Sequence, residues 1–244
     1  MNALNQYCAR AAAMLDEAFS KQYDALETAA RAIFTSLKNG GMVYTFGTGH
    51  AHLLSEEIFY RAGGLARVCP ILDERLMLHL SASESTNWER EPGVADALLA
   101  RYPVRADDVL IVASNSGRNA APVELAALAK QKGAFVIALT SLSHSRAAAP
   151  RNTLNKRLFE TADLALDNMG VPGDAALPSA RGGAVGATST VVGAALLQAI
   201  VCRVEQLSSE ENAEIEFYVS SNIEGGDEIN SRLINKYKNE IKHL

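Results

Sequence analysis

Apolar and polar positions follow two different rhythms along this 244-residue chain. From residue 2 to residue 38, apolar side chains recur every three or four positions with lysines and acids between them, which predicts a long amphipathic N-terminal helix. Farther along, short apolar runs bounded by glycine, serine or threonine indicate buried strands. These runs are residues 42–46, 66–72, 108–113, 134–139 and 162–166.

Segments with helical character separate the apolar runs. Helices are expected at residues 51–62, 94–102, 122–132, 184–206 and 231–243. Residues 81–93 are polar and residues 170–183 are rich in glycine and proline, so both are expected to be loops. The pattern predicts an α/β fold, a three-layer αβα sandwich in which helices cover both faces of a mostly parallel sheet of about five strands.

Length and composition fit one folded unit. A chain with 48% apolar and 21% charged residues is long enough to bury a substantial core, and no composition break or internal repeat divides it. We therefore expect a single domain over residues 1–244. It would comprise an N-terminal helical extension (1–40), a core (about 41–210) and a C-terminal tail (211–244).

Charge and cysteine content restrict the classes of partner. The net charge of −5 and the lack of a basic tract argue against nucleic acid and membrane surfaces as partners. Residues 182–202 are uncharged and long enough to span a bilayer, but their hydroxyl, amide and glycine content favours a helix buried in a protein core. The first ten residues lack a secretory pattern and the three cysteines are widely spaced, so we expect a cytoplasmic protein with free thiols.

One loop has the composition of an anion-binding turn. The run Ser-Asn-Ser-Gly-Arg-Asn at residues 114–119 leaves a predicted strand and leads directly into a predicted helix. Its backbone N–H groups, the helix dipole and the side chains of Ser114, Ser116 and Asn119 can all favour an anion. An ordinary helix cap has the same composition, so phosphate binding and simple capping stay equally open on this ground.

Two other helix starts have similar chemistry. Residues 47–49 (Gly-Thr-Gly) join a strand to a helix, with His50 and His52 beside them. The turn lacks the third glycine of a dinucleotide fingerprint and the Gly-Lys-Ser/Thr of a P-loop, so it predicts only the close approach of a ligand. Residues 188–190 (Thr-Ser-Thr) fit the same ligand, and fit equally well as hydroxyls within a buried helix.

Three motifs follow one another in the chain: the turn after Phe46, the Ser-x-Ser-Gly loop, and a Thr-Ser pair at the end of a later strand. In this order they resemble the SIS (sugar isomerase) family, and within it a bacterial branch described as phosphosugar isomerases. The resemblance covers about residues 30–210. It implies a sugar phosphate ligand, and a homodimer or dimer of dimers with sites completed across the interface. We expect no cofactor and no metal. The residues that it assigns to the phosphate and its pocket are Gly47, Thr48, Gly49, Ser114, Ser116, Gly117, Asn119, Thr140 and Ser141.

Acids and a histidine after the first turn are catalytic candidates. An aldose–ketose isomerase needs a base that moves a proton between C1 and C2, and a group, often histidine, for the oxygen-bound proton. His52 and Glu56 share a helix face, and Glu57 replaces Glu56 if the helix is rotated, so we expect Glu57 or Glu56 as base with His52 assisting. Two alternatives stay open. The acids are solvated beside Arg61, or His52 and Glu56 ligate a metal as in the family's zinc-dependent sedoheptulose-7-phosphate isomerases, although the other ligands are not evident.

A second acid lies in the polar segment 84–93, which offers Glu89. Together with Arg118 it resembles N-acetylmuramic acid 6-phosphate etherase, a SIS lyase with two catalytic glutamates, although the acid-rich signature after the first turn is not reproduced. A lid or dimer contact is the structural alternative for Glu89. His79 and His144 also fall in loops expected near the pocket. The sequence thus predicts a phosphosugar isomerase with a glutamate base, with an etherase-like lyase or a non-catalytic phosphosugar sensor as alternatives.

Overall fold

The computed structural model describes residues 2–244, so Met1, the first residue of the predicted extension, lies outside the described residues. A parallel five-stranded sheet in the order β2-β1-β3-β4-β5 forms the centre. A separate antiparallel hairpin pairs β6 with β7. The strands are β1 (Val43–Gly47), β2 (Val68–Ile71), β3 (Val109–Ala113), β4 (Phe135–Thr140), β5 (Leu164–Asp167), β6 (Ala175–Pro178) and β7 (Ala184–Ala187).

Helices lie on both sides of this sheet, which confirms the predicted three-layer αβα sandwich with a long N-terminal helix. They are α1 (Ala3–Lys21), α2 (Tyr23–Lys38), α3 (His52–Glu56), α4 (Ala82–Arg90), α5 (Val94–Arg101), α6 (Ala120–Gln131), α7 (Leu142–Ala147), α8 (Leu158–Thr161), α9 (Ser189–Glu210) and α10 (Gly226–Tyr237).

Alternation along each strand divides the core into two apolar clusters. In β1, Tyr44 and Phe46 belong to a cluster with side chains of α5, α6 and α10. Val43 belongs to a second cluster with side chains of α2 and α9. Because successive strand side chains point to opposite faces, the clusters lie on the two sides of the sheet. Both faces are covered, which is why the strands are continuous apolar runs.

The strand order fixes where a ligand can enter. The chain leaves β1 toward β2 at one edge and then returns to build β3, β4 and β5 on the other side of β1. In sheets of this kind, the crevice at the carboxyl ends of the two strands where the order reverses is the usual ligand site. Here those strands are β1 and β3, which are followed by residues 47–49 and 114–119.

The long N-terminal helix is interrupted once, so the prediction of one helix over residues 2–38 is wrong in this detail. Gln22 lies between α1 and α2 with φ −134° and ψ 30°. Its side-chain amide donates to the carbonyl of Asp167 at 2.6 Å and accepts from the backbone N–H of Asp167 at 2.9 Å. These two hydrogen bonds to the end of β5 stabilise the interruption between α1 and α2. Helical periodicity in the sequence does not reveal such an interruption.

Four other predicted segments differ in the structure. Residues 81–93, expected as a loop, contain α4, and the hydroxyl of Ser85 on this helix donates to the carbonyl of Leu76 at 2.9 Å. Residues 51–62, expected as a helix, are α-helical only over α3. The hairpin of β6 and β7 replaces part of the predicted loop at 170–183 and the first turn of the predicted helix at 184–206.

Helix α9 is, within the described residues, the helix long and apolar enough by length and composition to cross a membrane. Its buried face includes Leu196, Ile200 and Val204 and packs on α2 in the core. This is the packing expected of a core helix. Residues 211–244, predicted as a tail, also contribute to the core, because Leu233 and Tyr237 of α10 are buried in the same apolar cluster as Tyr44 and Phe46. The single domain stays a prediction.

Candidate functional site

A cleft of about 350 Å³ opens at the carboxyl ends of β1, β3 and β4. The loops at residues 47–49 and 114–119, which the sequence analysis singled out, meet in this cleft. Its lining residues are Thr48, Gly49, His50, Ala51, Leu54, Leu78, Thr86, Glu89, Ala113, Ser114, Asn115, Ser116, Asn119, Leu139, His144, Asn168, Gly173, Asp174, Ser189 and Thr190. A cavity of about 480 Å³ at the amino ends of β3 and β4 lies at the opposite edge of the sheet, away from the usual ligand crevice of such folds.

The loop after β3 is shaped by a hydrogen bond inside it. The hydroxyl of Ser114 accepts from the backbone N–H of Gly117 at 3.2 Å. Gly117 has φ +55°, and a Cβ there would lie 3.1 Å from both Leu158 and Ser145, so glycine is required. This tight turn leaves Ser116 on the cleft wall, and within the described residues the Ser116 hydroxyl has no hydrogen-bond partner.

Asn119 lies where this loop enters α6. It occupies the N-cap position, but its side chain makes no capping hydrogen bond and its Oδ1 is buried without a partner. The first turn of a helix presents backbone N–H groups that have no partner within the helix. The α6 N-terminus therefore offers donors and a partial positive charge at the cleft, and Asn119 leaves them uncovered.

The loop after β1 needs its first glycine for the turn. A Cβ at Gly47 would lie 2.3 Å from the carbonyl oxygen of Ala51, and Gly49 has φ +55°. Gly47 is fully buried within the turn and does not line the cleft, whereas Thr48, Gly49 and His50 do. The predicted contribution of Gly47 is therefore indirect, because it shapes the turn that carries the other three residues.

Thr140 and Ser141 lie beneath the cleft, in contrast to the pocket-lining position that the resemblance implies. Both are fully buried. The Thr140 hydroxyl donates to the carbonyl of Asn115 at 3.2 Å. The Ser141 hydroxyl donates to the carbonyl of Gly170 at 2.5 Å and accepts from the backbone N–H of His144 at 3.0 Å. These hydroxyls connect the loops around the cleft, and neither is free for a ligand.

The catalytic residues predicted on α3 and directly after it, His52, Glu56 and Glu57, do not line the cleft. The carboxylate of Glu57 accepts from the side chain of Gln198 at 2.9 Å and pairs with Arg61. Glu56 is exposed and lines a different cavity. Nδ1 of His52 lies 2.5 Å from the carbonyl oxygen of Gly49, so this ring nitrogen is occupied by the turn. Helix α3 is only five residues long, and its orientation follows the tight turn after β1.

Four acid or base groups line the cleft, namely His50, Glu89, His144 and Asp174, and of these Glu89 comes from α4 and His144 from α7. Glu89 lies near the end of α4, and within residues 2–244 its carboxylate makes no hydrogen bond or ion pair. His144 lies on α7, where the Ser141 hydroxyl accepts from its backbone, and its Nδ1 is buried without a partner. A carboxylate and an imidazole whose hydrogen-bonding atoms have no protein partner are suited to proton transfer.

Some cleft residues could not be identified as such from the sequence. Asp174, with φ +64°, accepts from the backbone N–H of Ser189 at 3.0 Å and from its hydroxyl at 2.5 Å. It thereby caps α9, whose first residues, Ser189 and Thr190, also line the cleft. The polar helix start at residues 188–190 was a sequence signal for this part of the cleft, but no sequence motif identified Asp174 or Asn168 as cleft residues.

The described residues do not fit a catalytic metal of the kind that the SIS resemblance raises. No group of three or more histidine, cysteine, aspartate or glutamate side chains among residues 2–244 is arranged to hold a metal ion. His52 and Glu56, the pair that the alternative with a metal would use, have different surroundings, as described above.

Comparison with known proteins agrees with this architecture. The family model described as SIS domain matches residues 6–141. The UPF0309 protein lin2794 of Listeria innocua is 41% identical over 242 residues, which cover 99% of this chain and 98% of that protein.

Solved structures with the same fold include two proteins of low sequence identity. A phosphoheptose isomerase from Francisella tularensis has a TM-score of 0.57 at 18% identity, over 84% of this chain and 100% of that one. The Vibrio vulnificus NanR protein complexed with ManNAc-6P has a TM-score of 0.51 at 15% identity, over 99% and 71%. The sheet order, the cleft at its carboxyl edge and the matched family model lead to one conclusion: the chain belongs to the SIS domain family.

Proposed function

We propose that this protein binds a sugar phosphate in the cleft and interconverts its aldose and ketose forms. Membership of the SIS domain family supports phosphosugar binding, as does the shared fold with a phosphoheptose isomerase and with a protein complexed with ManNAc-6P. The observation that carries the catalytic part is the presence in one cleft of a free carboxylate, Glu89, and an imidazole with an unpartnered nitrogen, His144.

The phosphate is assigned to the loop after β3. Ser116 and Asn119 have side chains free of protein hydrogen bonds within the described residues, and the first turn of α6 adds backbone N–H donors. Such a helix N-terminus is a common phosphate site because unpaired N–H groups and the helix dipole act together. A phosphate held here leaves the sugar carbons in the remainder of the cleft, toward Glu89 and His144.

Glu89 takes the role of the base in this proposal, replacing Glu56 and Glu57. Its carboxylate removes the proton from C2 of the aldose, which gives an enediol. The carboxyl group then returns a proton to C1, which gives the ketose. His144 moves the proton between the two oxygens. Asp174 is less suited, because its carboxylate already accepts three hydrogen bonds at the start of α9. A positioned acid or base of this kind contributes about 10²–10⁴-fold to rate.

The experiment is turnover in heavy water, followed by NMR, with glucose 6-phosphate, glucosamine 6-phosphate and N-acetylmuramic acid 6-phosphate as probes. The expected result is deuterium at C1 or C2 of one probe, with a rate that falls about 10²–10⁴-fold in Glu89→Gln. Glu84→Gln is the matched control, because Glu84 is an exposed glutamate on the same helix. Equal rates in Glu89→Gln and wild type would contradict the assignment of the base.

Two other outcomes correspond to different functions. Release of lactate from N-acetylmuramic acid 6-phosphate would identify an etherase-like lyase, which the position of Glu89 in the cleft also fits. Binding of a probe without exchange or elimination would identify a phosphosugar sensor. The homodimer or dimer of dimers stays a prediction from the family resemblance, and size-exclusion chromatography with light scattering tests it. The cytoplasmic location stays a prediction from the N-terminal sequence and the cysteines.

A further inference from the structure

Three arginines lie together beside the cleft: Arg90, Arg118 and Arg151, here called the rim arginines. Arg118 is part of the loop after β3, directly before Asn119. The backbone N–H of Arg151 donates to the carbonyl of Arg118 at 2.7 Å, and a parallel bridge pairs Arg151 with Asn119. Arg90 follows Glu89 at the end of α4. Asn119 and Glu89, the chain neighbours of Arg118 and Arg90, both line the cleft, so the backbone of these two arginines adjoins its lining.

Within the described residues, no side chain neutralises the rim arginines. None of them makes a salt bridge, a side-chain hydrogen bond or an aromatic stacking contact, and Nε of Arg118 is buried without a partner. Several other arginines, by contrast, are paired with carboxylates. Arg203, for example, lies 2.7 Å from a carboxylate oxygen of Glu27.

The rim arginines also repel one another. The guanidinium of Arg118, and next that of Arg90, lowers the pKa of Arg151, while the Glu89 carboxylate acts weakly in the opposite direction. Like charges held close together repel one another, and here they do so in a chain whose net charge is −5. A bound anion would remove the repulsion, and the planar fork of arginine matches carboxylate and phosphate oxygens.

The proposed phosphate site does not account for these arginines, because Ser116, Asn119 and the α6 N-terminus already supply its donors. From their position and lack of partners, we infer that the substrate carries a second anionic group, a carboxylate or a second phosphate, which the rim arginines bind. This inference rests on the proposed phosphosugar function and narrows the substrate class to sugar phosphates with two acidic groups.

The test compares three probes by isothermal titration calorimetry at fixed ionic strength. Glucose 6-phosphate carries one acidic group, 6-phosphogluconate adds a carboxylate, and fructose 1,6-bisphosphate adds a phosphate. We expect wild-type protein to bind one or both of the doubly acidic probes about 10–100-fold more tightly than glucose 6-phosphate, the range given by charge-assisted hydrogen bonds. Which probe is preferred identifies the second group.

Variants separate local binding from general attraction of anions. Arg90→Gln and Arg151→Gln should lose most of this preference and keep the affinity for glucose 6-phosphate. Both residues are exposed, so folding should tolerate the changes. Arg232→Gln, an exposed arginine on α10, removes the same charge elsewhere and should retain the preference.

Three results would overturn the inference. One is equal affinity of wild type for all three probes. Another is an equal loss for all three in the rim variants, and the last is the same loss in Arg232→Gln. Each of these leaves phosphosugar binding intact. If no probe binds wild type, and Ser116→Ala behaves in the same way, the proposed function fails together with the inference.

Discussion

Two cavities of the molecule are lined by similar residue types but differ in whether their buried polar groups have hydrogen-bond partners. One is the cleft. The other, about 500 Å³ and here called the C-terminal cavity, is lined in part by Glu56, Asp73, Arg101 and His243. In the C-terminal cavity, the buried carboxylate of Asp73 accepts from Arg75 at 2.8 Å and from Arg101 at 2.9 Å. In the cleft, buried polar atoms of Asn115, Asn119 and His144 have no partner within the described residues.

This difference separates polar groups that stabilise the fold from polar groups that are available to a ligand. The Arg75 side chain holds the pKa of Asp73 below its usual value, and Tyr102 lies at hydrogen-bond distance, 2.8 Å, from Nε2 of His243. Buried polar groups are almost always hydrogen-bonded in folded proteins, because leaving them unpaired costs about 1–3 kcal/mol each. Several unpaired atoms in one cleft therefore indicate a site that is completed by a ligand.

Removing the buried carboxylate of the C-terminal cavity should have the largest effect on stability. Asp73→Asn should lower the free energy of unfolding by about 3 kcal/mol, because it leaves two guanidinium groups without their buried partner. Urea unfolding measures this change. The affinity for a sugar phosphate should stay as in wild type, and Glu74→Gln, an exposed neighbour, should be silent in both measurements.

The same pair gives a pH dependence with a defined sign. Because the folded-state pKa of Asp73 is lowered, the carboxylate stabilises the protein above its unfolded pKa of about 3.9. This contribution is lost as the pH falls through the lower folded-state value. The stability difference between wild type and Asp73→Asn should thus be full at neutral pH and shrink in acid below about pH 4. A difference that stays constant into strong acid would contradict the assignment.

Truncating a cleft asparagine should affect ligand binding and leave stability nearly unchanged, the reverse of what is expected for Asp73→Asn. Asn119→Ala should weaken binding of a sugar phosphate about tenfold, while stability changes by less than about 0.5 kcal/mol, because this N-cap residue makes no capping hydrogen bond to lose. Calorimetry and urea unfolding measure the two effects.

Asn230 provides the matched control for this variant. It is a buried asparagine whose amide donates to the carbonyl of Val219 at 2.8 Å and accepts from its N–H at 3.0 Å. Asn230→Ala should cost about 2 kcal/mol of stability without a change in affinity. If both asparagine variants lose stability equally, the distinction between paired and unpaired groups does not hold.

The smallest effect is expected for Glu56, one of the two glutamates that the sequence analysis left open as the base. Glu56→Gln should change stability by less than about 0.5 kcal/mol and leave turnover as in wild type, because the side chain is exposed and lies outside the cleft. A loss of turnover would show that Glu56 reaches reacting atoms, as it would if it completed the cleft of a second copy.

The sheet and its ligand edge could be predicted because their signals are local. Strand β3 and the loop after it show as an apolar run followed by small polar residues. Helix α4 could not be predicted in this way, because its sequence is polar on most sides and it is held by contacts such as that of Ser85 with Leu76. Their spacing in the sequence indicates that His52 and Glu56 share one face of a helix, but it does not indicate which cavity that face lines. The tight turn at Gly47 decides that, and it depends on three-dimensional packing.

Helix α4 also gives the protein an optical property. Trp88 is the single tryptophan of the chain and precedes the cleft residue Glu89. Its indole ring lies 4.7 Å from the guanidinium of Arg75, which also binds Asp73. A charge at this distance from an indole alters its emission. Tryptophan emission of the unlabelled protein, excited where the seven tyrosines do not absorb, therefore reports from one position, next to Arg75 of the C-terminal cavity and Glu89 of the cleft.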